Sequence, residues 1–142
     1  MTATTQTAAR PSVARTVGIL AAAAVVAIAL NALVAFLAVQ AGASASYAPL
    51  TLPVFAAFTV VGVVVGWIGW RIVQRRAANP SRVLAVLVPA VVVASLVPNV
   101  VLLFTEFIPG TNAAAVWALM AMHVIVAGVG VVGYLIASRV KA

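Results

Sequence analysis

The stretch Arg71-Ile72-Val73-Gln74-Arg75-Arg76-Ala77-Ala78-Asn79-Pro80-Ser81-Arg82 decides how the rest of the chain is read. It places four arginines and the Asn79-Pro80 turn signal between two long apolar stretches. The remaining basic residues sit at the ends, Arg10 and Arg15 before the first apolar stretch, Arg139 and Lys141 after the last. Each interval between basic clusters is long enough for a helix to cross a bilayer, turn and come back. All three clusters therefore fall on one side, which the positive-inside rule makes cytoplasmic.

The expected fold is all-α, a four-transmembrane-helix bundle made of two hairpins with both termini cytoplasmic. Residues 1–15 read as a disordered cytoplasmic tail and residues 16–142 as one membrane domain. Its spans are expected at about 16–40, 53–71, 82–105 and 112–138, from lengths near 20 apolar residues each. Gly42, Ser44, Ser46 and Pro49 supply turn chemistry for one external loop, and Pro109-Gly110 for the other. Tyr47 is expected in the headgroup layer, and Trp67 and Trp70 in an aromatic belt just before Arg71. Trp117 is placed near the outer interface and Tyr134 near the inner one. Pro53 is tolerated in a first helical turn, and Ser81 is a candidate cap for the third span.

Composition supports this reading. Of the 142 residues, 66% are hydrophobic and 6% charged, against roughly a quarter charged in soluble domains. The net charge of +7 does not point to nucleic acid, because its arginines flank apolar runs and do not form a polar, aromatic-laced face. Arg71, Arg75, Arg76, Arg82 and Arg139 are instead expected to fix topology and to contact anionic lipid headgroups. With no cysteine there are no disulfides and no thiolate metal sites. One histidine and one acidic residue, Glu106, cannot close a metal site within one protomer. Ala43-Ser44-Ala45 resembles a signal-peptidase site, yet the apolar run before it exceeds the roughly 7–15 residues of a signal h-region. The first span is therefore read as a retained anchor.

The residues that cost free energy in lipid are Asn31, Thr59, Ser95, Asn99 and His123. Measured from the basic clusters at 1.5 Å per residue, Asn31, Thr59, Asn99 and His123 all lie roughly 18–25 Å above the inner ends of their helices. They form one intramembrane polar layer, binding or structural. Helical spacing aligns Ala24, Ala27, Asn31, Ala35 and Ala38 on one stripe, and Thr59, Gly62, Gly66 and Gly69 on another. In the fourth span His123, Gly130 and Tyr134 share a face. Small residues at such positions let helices approach closely, so Gly62, Gly66, Gly69 and Gly130 are expected to serve helix packing. Gly62 and Gly66 also match the small-xxx-small dimer pattern.

Pro98 cannot satisfy the carbonyl of Ala94, so a donor from Asn31 or His123 is expected there, and the third span is expected to bend. The polar residues read first as interhelical hydrogen bonds. His123 has two readings, a hydrogen-bonded core side chain or a functional site.

The block Ala118-Leu119-Met120-Ala121-Met122-His123-Val124-Ile125-Val126-Ala127, together with Asn31 and Ser95-Leu96-Val97-Pro98, resembles an actinobacterial family of uncharacterised small four-helix integral membrane proteins. The resemblance implies placement in the bacterial inner membrane, with Asn31 and His123 in the family's polar core, and it implies no reaction. The leading expectation is a non-enzymatic accessory or assembly component acting through helix packing, without cofactor or metal. Its partners are the bilayer and a homo-oligomer or larger membrane complex. A small oligomeric transporter or proton-linked permease, and a haem- or quinone-binding redox subunit, stand as alternatives.

Overall fold

The computed structural model describes residues 13–105 and 107–139. Four helices make up nearly all of it: α1 Val13–Gln40, α2 Leu52–Arg76, α3 Pro80–Thr105 and α4 Ala113–Arg139. Each is long and apolar enough to cross a membrane, and there is no strand among the described residues. The helices follow one another as two hairpins joined by residues 77–79. Most of the expected N-terminal tail, together with Arg10, Glu106, Lys141 and the side chain of Arg139, lies outside the described residues.

Two boundaries differ from expectation. α1 opens at Val13, so Arg15 is helical and does not belong to a tail. α2 continues five residues past Arg71, so Arg75 and Arg76 form its last turn and the connection to α3 shrinks to 77–79. Arginine is a good helix former, and its long stem carries the charge away from the apolar segment, so the helix need not end where charge begins. α3 opens at Pro80, where the missing N–H costs nothing, with the Asn79 carbonyl accepting from Val83 N. Ser81 is therefore inside the helix.

α4 is the central element. It packs most extensively on α1 and also touches α2 and α3, whereas α2 and α3 meet each other only weakly. The α1 face in this packing is the expected stripe: Ala24, Ala27, Asn31, Ala35 and Ala38 are all buried, with Ala23 beside them. The helices close through Gly133 of α4, where an added Cβ would lie 3.0 Å from the Ala23 Cβ. Without hydrophobic drive between helices in lipid, such close backbone approach is what holds a pair together. α3 is the peripheral helix, and Asn99 is its one buried residue.

The loop end is tied by local chemistry. Gly42, at φ 101°, ends α1 in the left-handed region that disfavours a Cβ. Ala43 N then reaches the Ala38 carbonyl at 2.9 Å and Gly42 N the Val39 carbonyl at 3.1 Å, the paired bonds of a Schellman terminus. Asn112 caps α4 by accepting from Ala115 N at 2.9 Å, and its Nδ2 donates to the Gly42 carbonyl at 2.8 Å, joining both loops. Tyr47 lies inside this knot: it is 1% exposed, with its hydroxyl 3.2 Å from Thr111 Oγ1. The 3-10 turn at Ala48–Leu50 follows it and buries Leu50.

Candidate functional site: an intramembrane cleft over a polar layer

Because α2 and α3 barely touch, a cleft of about 580 Å³ lies between them, floored by α4 and by Asn31 of α1. It runs from Pro49 at the loop end to Trp70 and Leu84 near the arginine end. Its walls are mainly aliphatic and aromatic, among them Phe55, Phe58, Leu87, Val91 and Val126. Among the described residues no charged side chain lines it. The polar groups in its lining are few and include Asn31, Thr59, Ser95 and His123, four of the five residues of the expected layer. A concave, largely apolar site with a few placed polar groups is the usual form of a small-molecule site.

The layer resolves into two pairs. Asn31 Nδ2 donates to Thr59 Oγ1 across α1 and α2 at 3.0 Å, and both residues are almost fully buried. Asn31 Oδ1 is buried and has no hydrogen-bond partner among the described residues. In the second pair, Asn99 Nδ2 lies 3.4 Å from His123 Nδ1 between α3 and α4. The same Nδ1 lies 2.7 Å from the Leu119 carbonyl. A carbonyl only accepts, so Nδ1 carries the hydrogen and donates to Leu119, and the Asn99 amide nitrogen, itself a donor, touches the ring there without a hydrogen bond. In the neutral ring Nε2 is then the acceptor, and no hydrogen bond to it is found among the described residues.

Two expectations change. Ser95 does not bond across helices: its hydroxyl donates to the Val92 carbonyl of its own helix at 2.7 Å. Neither Asn31 nor His123 serves the Ala94 carbonyl, since their donors go to Thr59 and Leu119. The nearby relief is local, with Asn99 Nδ2 3.4 Å from the Ser95 carbonyl. In both cases a partner one turn away on the same helix is reached without ordering a second helix, so it wins.

Of the glycines expected to serve helix packing, Gly62, Gly66 and Gly130 lie close against side chains of α4, whereas Gly69 does not. The buried face of α2 runs through Phe55, Thr59, Val63 and Trp70. Gly62, Gly66 and Gly69 lie beside that face and line the cleft. A Cβ at Gly69 would meet nothing within 4 Å, and one at Gly62 only Val126 Cγ1 at 3.3 Å. Gly66 and Gly130 together form a notch for the Tyr134 side chain, whose hydroxyl donates to the Val63 carbonyl at 2.7 Å. Tyr134 and Trp70 are thus buried within the bundle and not turned outward from it. Trp70 Nε1 donates to Ser138 Oγ at 3.0 Å, and both Trp67 and Trp70 lie against the Tyr134 ring, with centroids 5.8 and 5.7 Å away. An aromatic next to arginine reads as an interface anchor until a hydroxyl on another helix offers its N–H a partner.

The arginines lie beyond this cluster. Arg71 sits 5.5 Å over the Trp67 ring, a cation–π contact, while Arg75, Arg76 and Arg82 are exposed. No group of three or more His, Cys, Asp or Glu side chains able to hold a metal occurs among the described residues.

Residues 9–140 match the model of a family of unknown function, DUF6069. The chain belongs to that family. None of the curated proteins and none of the solved structures matches it. Membership in DUF6069 covers all four helices and both polar pairs, and it carries no activity with it. What the chain can do must be argued from the cleft. The residues that sequence reasoning passed over are Val63, Gly133 and the interior role of Tyr134. The available signal was the pairing of Gly130 with Tyr134 four residues on, which leaves a hollow under an aromatic side chain on one helical face.

Proposed function

We propose that this chain is a non-enzymatic accessory protein of the bacterial inner membrane, and that it acts by holding an apolar partner in the cleft between α2, α3 and α4. The observation that carries this reading is the asymmetry of the bundle. α1 and α4 are closed upon each other to backbone contact, while α2 and α3 stand apart over a cleft of about 580 Å³. Gly69 on the α2 side, with nothing within 4 Å of where a Cβ would stand, helps keep that cleft open. Its mainly apolar lining favours a hydrocarbon occupant over a hydrated permeation path, which would place polar side chains along its length.

The arginine clusters support an orientation with both termini cytoplasmic. A reporter inserted after Ala78 should read cytoplasmic and one after Ser44 external; the opposite pattern would invert the bundle.

A photoreactive side chain tests occupancy in native membranes. Placed at Val91 in the cleft wall, it should give a small number of discrete adducts. At Val25, exposed on α1 and outside the cleft, it should give only the spread of bulk lipids. Identical adduct patterns at the two positions would reject the reading.

A further inference from the structure

Resting on occupancy of the cleft, we infer that its occupant is an anionic phospholipid of the leaflet on the arginine side, with one acyl chain between α2 and α3 and its phosphate against Arg76. The shape of the cleft argues for the chain. It follows α4 from Met122 to Tyr134 and α2 from Val54 to Trp70, a length of roughly 18–24 Å. Spread over that length, about 580 Å³ leaves a mean cross-section of roughly 24–32 Å², whereas a helix with its side chains needs roughly 80–110 Å². A single hydrocarbon chain fits such a slot and a partner helix does not. From Trp70 to Thr59 the slot runs roughly 16 Å, close to half of the roughly 30 Å hydrocarbon core. It is therefore about as deep as the chains of one leaflet reach.

Charge argues for the head. Gly62 and Gly69 line the cleft two helical turns apart, and Arg76 follows Gly69 by the same interval, so it continues the cleft face of α2. Arg76 is exposed and lies roughly 9 Å beyond Trp70, which brings it to the headgroup layer when the chain occupies the slot. The other arginines of this end do not share that position. Arg71 is turned to the Trp67 ring, and Arg75 stands about 100° round the helix from Arg76. Arg82 is two residues from Leu84, a wall residue, and so lies on the far side of α3. Glu106, the chain's one acidic side chain, follows the opposite end of α3 and offers Arg76 no carboxylate. A guanidinium at the end of an apolar slot complements a molecule with a phosphate head and a hydrocarbon tail, and its planar fork takes phosphate oxygens in pairs.

The test uses the full chain in nonionic detergent micelles, carrying Trp117→Phe so that emission comes from Trp67 and Trp70. Two lipid probes share the same acyl chains, brominated near the glycerol end, and differ in the head: anionic phosphatidylglycerol and zwitterionic phosphatidylcholine. Bromine quenches indole fluorescence on contact, and Trp70 lines the cleft at its arginine end. Phosphatidylglycerol should reach half-quenching at about fivefold lower mole fraction, the worth of one basic residue at an anionic surface. Arg76→Gln should raise that half-point to the phosphatidylcholine value, whereas Arg75→Gln, the same change of charge off the cleft face, should leave the preference standing. Gly69→Leu, filling the slot, should weaken both lipids alike. Equal half-points for the two heads, or equal losses with Arg75→Gln and Arg76→Gln, would overturn the inference while the effect of Gly69→Leu still shows an occupied cleft. Quenching that Gly69→Leu leaves unchanged would instead overturn the occupancy on which it rests. A dimer quenched by neither lipid would overturn both by placing a second copy in the cleft.

Discussion

Replacing Gly133 with leucine is expected to destabilise the bundle by about 2–3 kcal/mol, whereas the same change at Gly128 should alter stability by less than about 0.5 kcal/mol. The two glycines are five residues apart on one helix, so chain length, helix propensity gain and added apolar bulk are matched. They differ in what a side chain would meet. At Gly128 there is nothing within 4 Å. At Gly133 the first added carbon already lies 3.0 Å from the Ala23 Cβ, an atom fixed to the α1 backbone that cannot rotate aside. The leucine must then push α1 and α4 apart along the most extensive contact of the molecule. In lipid the separated faces gain nothing from exclusion of water, so lost van der Waals contact is not offset. Reversible unfolding in mixed micelles followed by helix content measures the difference. Equal effects of the two substitutions would mean that the α1–α4 seam is not what holds the bundle.

This pair also marks how far the sequence could be read. The four helices were legible because the arginine clusters bound apolar runs of bilayer length, and the α1 stripe because five small or polar residues keep helical spacing from Ala24 to Ala38. That Asn31 lies level with Thr59, and Asn99 with His123, was legible by the same ruler. Which groups pair within the polar layer was not, because Ser95 and His123 each have a carbonyl of their own helix within reach as well as partners on others. The glycines were legible as places of small size but not by use. Size alone does not tell a seam, as at Gly133, from a cleft wall, as at Gly69, or a notch, as at Gly66. Those roles are decided by the residue opposite, and for a chain of this composition the residue opposite is set by bundle geometry. The cleft lies in the same blind region. It exists because α2 leans on α4 more than on α3, a relation that no single helix records.

A double-mutant cycle at the Tyr134 notch is the sharper test of that geometry. Gly66→Ala is expected to cost about 2–3 kcal/mol, because its Cβ would fall on the Tyr134 hydroxyl and close to its ring carbons. To make room the ring must swing away, which breaks the hydrogen bond to the Val63 carbonyl and disturbs the contacts with Trp67 and Trp70. Tyr134→Phe alone should cost about 1–1.5 kcal/mol, the worth of a buried neutral hydrogen bond. In the double variant the hydroxyl that collides is gone, and the ring has only to give way by a few tenths of an ångström. The two costs should therefore fail to add, the loss in the double variant being at least about 1 kcal/mol smaller than the sum of the single losses. Gly69→Ala in the same background provides the comparison: nothing lies within 4 Å of it, so its small effect should be the same with Tyr134 or with phenylalanine. Tryptophan emission should shift with Gly66→Ala and not with Gly69→Ala, since Trp67 and Trp70 both border the displaced ring. Strict additivity at Gly66 and Tyr134 would show that the hydroxyl does not occupy the notch, and the α2–α4 contact beneath the cleft would have to be redrawn.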